Sequence, residues 1–185
     1  FFAISLEPNE ATPHHWYSLL LAEVGRVELA LEQARRAYEL DPRSAVIAFN
    51  LANMYLMKGE DAEALRYARV AEELGIGKGI HGVEVAVAMR RRQWDEARRL
   101  IVQQEGLPPE MRGMATRFVD ALADPALRPQ VVAGMRGVDP QIAKQLDLVH
   151  PYLQLGQVDL VYQILLDELE RDPKAWVKRW DLNVS

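Results

Sequence analysis

The chain has 185 residues, with 22 Lys+Arg against 27 Asp+Glu and a formal net charge of -5. Apolar residues make up 49% and charged residues 26%, the balance of a folded chain and not of a disordered one. Cysteine is absent, which excludes disulfides, thiolate catalysis and Cys-based zinc or iron–sulfur sites. Mild acidity supplies no general pull toward nucleic acid or anionic lipid. The longest uncharged stretch, Ser44 to Met57, is 14 residues and holds Asn50 and Asn53. A membrane-spanning helix needs roughly 20 mostly apolar residues. Neither direct nucleic-acid contact nor membrane insertion is therefore expected. A soluble segment without Cys suits the cytoplasm and the periplasm alike.

Phe1-Phe2-Ala3-Ile4 follows no basic region and precedes no small-residue cleavage site, so it reads as mid-helix and not as a leader. A spacing of 34 residues then recurs: Pro8 to Pro42, Ala3 to Ala37, Ala37 to Ala71, Gly25 to Gly59 and Ala30 to Ala64. His15 to Pro42 and Phe49 to Ile76 align as helix, Gly-containing turn, helix. In the second segment Leu51, Ala52 and Tyr55 share one face of a helix near 44–57. Gly59 ends that helix in a left-handed conformation. A further helix near 61–74 carries Ala64, Ala68 and Ala71, small residues that let two helices approach closely. Asp41-Pro42 closes the preceding helix, because Pro disfavours helical geometry in the residue before it.

These residues resemble the tetratricopeptide repeat, a 34-residue helix–turn–helix unit with Leu, a small residue, Tyr, Gly, Ala, Ala and Pro at fixed points. The second unit carries Leu51, Ala52, Tyr55, Gly59, Ala64 and Ala71, with Ile76 in place of the Pro. The first carries Gly25, Ala30, Ala37 and Pro42, with Tyr17 and Ser18 at the Leu and small positions. The resemblance implies an all-α fold: tetratricopeptide-type helix–turn–helix repeats stacked as a right-handed superhelical solenoid.

The expected organisation runs from a tail of a preceding repeat (1–10) through two well-formed units (11–76) to a divergent third unit (77–107). In the third, Ala97 lies 33 residues after Ala64, and Arg92 or Gln93 stands where a turn Gly belongs. Residues 108–138 read as an irregular helix pair, bounded by Pro108-Pro109 and Gly137. A final unit, 139–173, has Leu148, Tyr152, Gly156 and Asp172-Pro173, with Val161 and Glu168 at the Ala points. Residues 174–185 begin a further helix. Phe1-Phe2 at one end, and Trp176 and Trp180 at the other, predict cut ends that self-associate or fray.

Signatures of chemistry are sparse, and no catalytic residue, cofactor or metal site is expected. Gly75-Ile76-Gly77-Lys78-Gly79 lacks the Ser or Thr that follows the Lys of a phosphate loop, and reads as a connection between units. His14, His15, His81 and His150 have no metal-ligand spacing. No Gly-x-Ser-x-Gly elbow occurs.

The resemblance makes the first helix of each hairpin line a concave groove. Helical phase puts Val46, Phe49, Asn50, Asn53 and Met57 on the face opposite Leu51, Ala52 and Tyr55. The same phase gives His15, Trp16, Leu19 and Glu23 in the first unit. It gives Gly82, Val83, Ala86, Met89 and Arg90 in the third, and Leu146, Asp147, His150 and Gln154 in the last. The expected partner-binding residues are His15, Trp16, Phe49, Asn50, Asn53, Met57, Met89 and Arg90. A second candidate is a patch of Arg91, Arg92, Arg98 and Arg99 for an acidic partner, against which stands simple complementation of a helix C-terminus. A chaperone-type carboxylate clamp is disfavoured, since His15 and Leu19, or Phe49 and Asn53, stand where a Lys and an Asn belong.

The expected function is a non-catalytic module for protein–protein interaction, a scaffold or sensor that binds a peptide or protein segment in the groove. The stretch Asn9 to Tyr17 and the Leu-Gln-Leu-Gly of 153–156 also resemble the repeat region of bacterial signalling and transcriptional regulators. There such arrays follow a winged-helix or nucleotide cyclase domain. The alternative is a small-ligand sensor with a pocket between the first units and the irregular middle, and an enzyme stands third.

Overall fold

The computed structural model describes residues 7–76, 80–104, 107–136, 138 and 149–171, all of them helix, turn or loop. Ten α-helices are described: α1 (Ala11–Glu23), α2 (Val27–Leu40), α3 (Ala45–Lys58), α4 (Asp61–Glu73), α5 (Ile80–Arg90), α6 (Trp94–Gln103), α7 (Pro109–Ala123), α8 (Arg128–Arg136), α9 (Val149–Gln154) and α10 (Val158–Arg171). A 3-10 turn, Pro125–Leu127, joins α7 to α8. The chain divides into two compact units, Phe1–Arg112 and Gly113–Ser185. The expected tail of a preceding repeat (through residue 6), the Gly77–Gly79 connection, Leu146, Asp147 and the 174–185 helix lie outside the described residues.

Three antiparallel hairpins, α1/α2, α3/α4 and α5/α6, stack in the first unit. Each second helix packs on the first helix of the next hairpin, α2 on α3 and α4 on α5. The first helices α1, α3 and α5 also lie side by side. This is the all-α stack of helix–turn–helix repeats that the tetratricopeptide resemblance implies.

Small residues make the stack close. Ala30, Ala34 and Ala37 of α2, Ala64, Ala68 and Ala71 of α4, and Ala97 of α6 are all fully buried. A methyl side chain at the crossing lets ridge and groove meet without an intervening layer. Leu31, Leu51, Ala52, Met54 and Tyr55 fill the space between hairpins. A stacked pair, Tyr55 and Tyr67 (5.4 Å between centroids), closes one side of it.

Four of the described helix pairs reverse through one device. A residue one or two positions past the first helix takes a left-handed conformation: Gly25 (φ 73), Gly59 (φ 87), Arg92 (φ 57) and Gly156 (φ 74). Paired backbone bonds accompany each, such as Gly59 N–H to Leu56 O (3.1 Å) and Glu60 N–H to Tyr55 O (2.9 Å). The same pair recurs at Arg92 N–H to Met89 O (3.0 Å) and Gln93 N–H to Ala88 O (2.8 Å). These bonds use carbonyls that the helix end would leave unpaired.

The second unit has its own core of Ala121, Met135, Tyr152, Leu155, Leu160, Val161 and Ile164. Tyr152, at the position of Tyr55, donates its hydroxyl to the Met135 carbonyl (3.0 Å). The Asp124 side chain accepts from Ala126 N–H (2.9 Å) and opens the 3-10 turn.

Arg92 pays a steric cost that the glycines do not, since a Cβ in the left-handed region crowds the backbone. Arg92→Gly should raise stability by about 0.5–1 kcal/mol, whereas Gly59→Ala should lower it by about 1 kcal/mol. Chemical denaturation of both variants tests this. Destabilisation by Arg92→Gly would mean that the side chain contributes more than its backbone strain costs.

Candidate functional site

The side-by-side packing of α1, α3 and α5 creates one face made only of first helices. On α3, Val46, Phe49, Asn53 and Met57 follow one another at i, i+3, i+7 and i+11, a single stripe. Val46 and Met57 are exposed, Phe49 and Asn53 half-buried. Counted from the turns, Leu19 and Glu23 of α1, and Gly82, Ala86 and Arg90 of α5, take the positions in their repeats that Asn53 and Met57, and Phe49, Asn53 and Met57, take in α3. At equivalent positions α3 thus has large side chains where α5 begins with small ones. Gly82 is exposed, and a Cβ there would meet no atom within 4 Å. Met89 is half-buried.

Two expected groove residues lie elsewhere. Asn50 is buried: its Nδ2 donates to Ser18 Oγ (2.6 Å), and Ser18 Oγ donates to the His15 carbonyl (2.7 Å). Asn50 therefore ties α3 to α1. Helical phase alone could not reveal this, because α1 covers a flank of α3 that phase leaves open. His15 is also buried, its ring 5.6 Å from that of Trp16. Trp16 takes in α1 the place that Asn50 has in α3, and is 64% exposed on that edge. His14 is buried too: its Nε2 lies 3.1 Å from the Pro8 carbonyl and its Nδ1 2.7 Å from the Gln33 side-chain oxygen.

The arginine patch is largely neutralised. Arg90 donates to Asp61 (2.7 Å) and to the Leu56 carbonyl (2.6 Å), and Arg91 donates to the other Asp61 oxygen (3.0 Å). Arg98 pairs with Asp95 (2.7 Å) and Arg99 with Glu96 (2.8 Å) on their own helix. The Arg99 guanidinium, hydrogen-bonded to Glu96, holds that carboxyl below the usual range. Arg92 serves the turn. Carboxylates of the chain itself thus pair with Arg90, Arg91, Arg98 and Arg99, which lowers the net positive charge of this surface.

The second unit holds a cavity of about 450 Å³ lined by Met114, Arg117, Leu127, Val131, Met135 and Val138 among others. Among the described residues no group of three His, Asp or Glu converges as a metal site, and no helix is long and apolar enough to cross a membrane.

No family model matches the sequence, and no curated protein matches it. Among solved structures the chain is similar to the crystal structure of YrrB, a TPR protein with an unusual peptide-binding site. The two share 18% identity over 94% of this chain and 92% of that one, with a TM-score of 0.49. At that distance the peptide-binding site is a property of YrrB.

Burial lowers the His15 pKa, since removal from water penalises the charged imidazolium. The unfolded chain then takes up its proton at a higher pH than the folded chain. The resulting stability is complete above about pH 6.5 and declines as the pH falls below it. The urea midpoint should drop between about pH 7.5 and about pH 5, and the drop should be smaller in His15→Leu. Equal drops in both proteins would assign the titration to other groups.

Proposed function

We propose that this chain is a non-catalytic interaction module that holds a peptide or protein segment along the face of α1, α3 and α5. The observation that carries the proposal is the stripe on α3, where exposed Val46 and Met57 flank half-buried Phe49 and Asn53, together with Gly82 of α5, an exposed helical position where a Cβ would meet no atom within 4 Å. By the 33-residue offset of the repeats, Gly82 and Ala86 correspond to Phe49 and Asn53, so small side chains follow large ones on this face. A partner's apolar side chain fits the space at Gly82, and the amide of Asn53 offers a donor and an acceptor to its backbone. Exposed Val46 and Met57 extend the apolar contact along the groove. In its wider form the proposal includes a regulatory setting, in which the array senses or transmits for an effector domain outside these residues.

Gly82→Leu separates binding from folding. The substitution should leave the fold intact and add about 0.5–1 kcal/mol of stability, because Gly weakens a helix interior. It should also fill that space. Peptides selected on the immobilised chain from a random library should bind Gly82→Leu and Asn53→Ala at least about tenfold more weakly, a loss of about 1.4 kcal/mol. Unchanged affinity in both variants would move the site off this face.

A second reading, a small-ligand site, has one observation in its favour: the cavity beside Met114 and Met135 has a volume typical of such sites. Ligand binding there would be blocked by Val131→Trp and untouched by Gly82→Leu.

A further inference from the structure

The cavity of about 450 Å³ in the second unit has walls of two kinds. α7 brings Met114, Arg117 and Asp120 to it, and α8 brings Val131, Gly134 and Met135. Spacings of three and four residues keep each set on one side of its helix. The inner wall is apolar: Met135 is buried in the core of the unit, and Met114, Val131 and Val138 pack against that core. Gly134 is exposed, and a Cβ there would meet no atom within 4 Å, so its missing side chain leaves room open. The rim is polar, with Arg117 and Gln130 exposed. Asp120 of the same lining already has a partner within the chain. Arg117 has no hydrogen-bond or ion-pair partner among the described residues. Its Nη1 lies 4.0 Å from the place a Gly113 Cβ would take, back along α7. Arg90, Arg91, Arg98 and Arg99 of the first unit are each paired with a carboxylate, whereas Arg117 brings an unanswered charge to the edge of an apolar space.

Taking this cavity as the small-ligand site of the second reading, on which the inference rests, we propose that its ligand is a monocarboxylic acid with an apolar body. The body lies against Met114, Val131 and Met135, and the carboxylate meets Arg117 at the rim. An apolar void of about 150 Å³ takes one benzene ring. About three times that volume takes a chain of about eight carbons and leaves the head group at the mouth. Methionine side chains are flexible and polarizable, and adapt to such a chain. A guanidinium holds a carboxylate through two parallel N–H···O bonds, and the Gln130 amide supplies a further donor. A dianionic head would bring a second negative charge beside Asp120, and an ammonium head would stand against Arg117. One negative charge on an apolar body suits both walls.

Methyl NMR of the full chain tests this, with the Met114 and Met135 methyls as reporters and octanoate, octanamide and octylammonium as probes. Octanoate should shift both methyl signals and bind at least about tenfold more tightly than octanamide, with octylammonium weaker still. Arg117→Gln should erase the preference for octanoate over octanamide, and Arg117→Lys should keep part of it. Arg117 is exposed, so neither variant disturbs the fold. Gly134→Leu fills the open space from an exposed helical position and should abolish binding of all three probes. Octanamide or octylammonium bound as tightly as octanoate would leave the small-ligand site standing and overturn the carboxylate. No probe shifting either methyl would overturn both. Octanoate held equally well by Arg117→Gln or by Gly134→Leu would place its binding elsewhere and overturn the proposal.

Discussion

Close approach at alanine is the constraint on which the first unit depends. Ala30, Ala34 and Ala37 on α2, and Ala64, Ala68 and Ala71 on α4, are wholly buried, and each row lies along one side of its helix. A larger side chain at any of these points would push the helix pair apart and cost about 1–3 kcal/mol through overpacking. It would also move the next hairpin, since each second helix is the platform for the following first helix. The spacing of the face formed by α1, α3 and α5 is thus decided on the helices behind it.

Polar contacts then fix the register of hairpins already held by packing. Asn50 reaches back to Ser18, so α3 cannot slide along α1 without leaving the buried Asn50 Nδ2 unpaired. Arg90 and Arg91 reach back to Asp61, and Arg90 also takes the carbonyl of Leu56 beside the Gly59 turn. These bonds join successive repeats. Two arginines of the cluster, Arg90 and Arg91, are in this way engaged by the stack, while Arg98 and Arg99 pair along their own helix.

The two kinds of helix differed in how legible they were. The second helices are amphipathic, with alanines on one side and charges on the other, so their buried rows follow from spacing alone. Gly25 and Gly59 likewise mark turns whose backbone demands them. The first helices α1 and α3 are apolar over most of their surface, because neighbours cover them on several sides. Periodicity gives the direction of a side chain and not the depth of what lies over it. Hence Phe49 and Asn50, adjacent in sequence and assigned to one face, part company in the structure. Phe49 remains half-open, while Asn50 is shut beneath α1. Arg92 was legible only by position, since nothing in its chemistry favours a left-handed backbone.

Degeneracy of the repeat has a physical consequence for the face. Where repeats are alike, neighbouring first helices present similar side chains and the surface between them is even. At equivalent positions α3 and α5 differ: Phe49 corresponds to Gly82, Asn53 to Ala86 and Met57 to Arg90. A Cβ at Gly82 would meet no atom within 4 Å, so the large side chain of one repeat is answered by open space in the next. Arg90, at the position of Met57, has its guanidinium drawn away to Asp61 and Leu56, so it brings its apolar stem and not an unpaired charge to this face. The weakening of the repeat consensus after residue 76 is therefore what makes the side chains of this face differ from one repeat to the next, as a stack of identical hairpins would not.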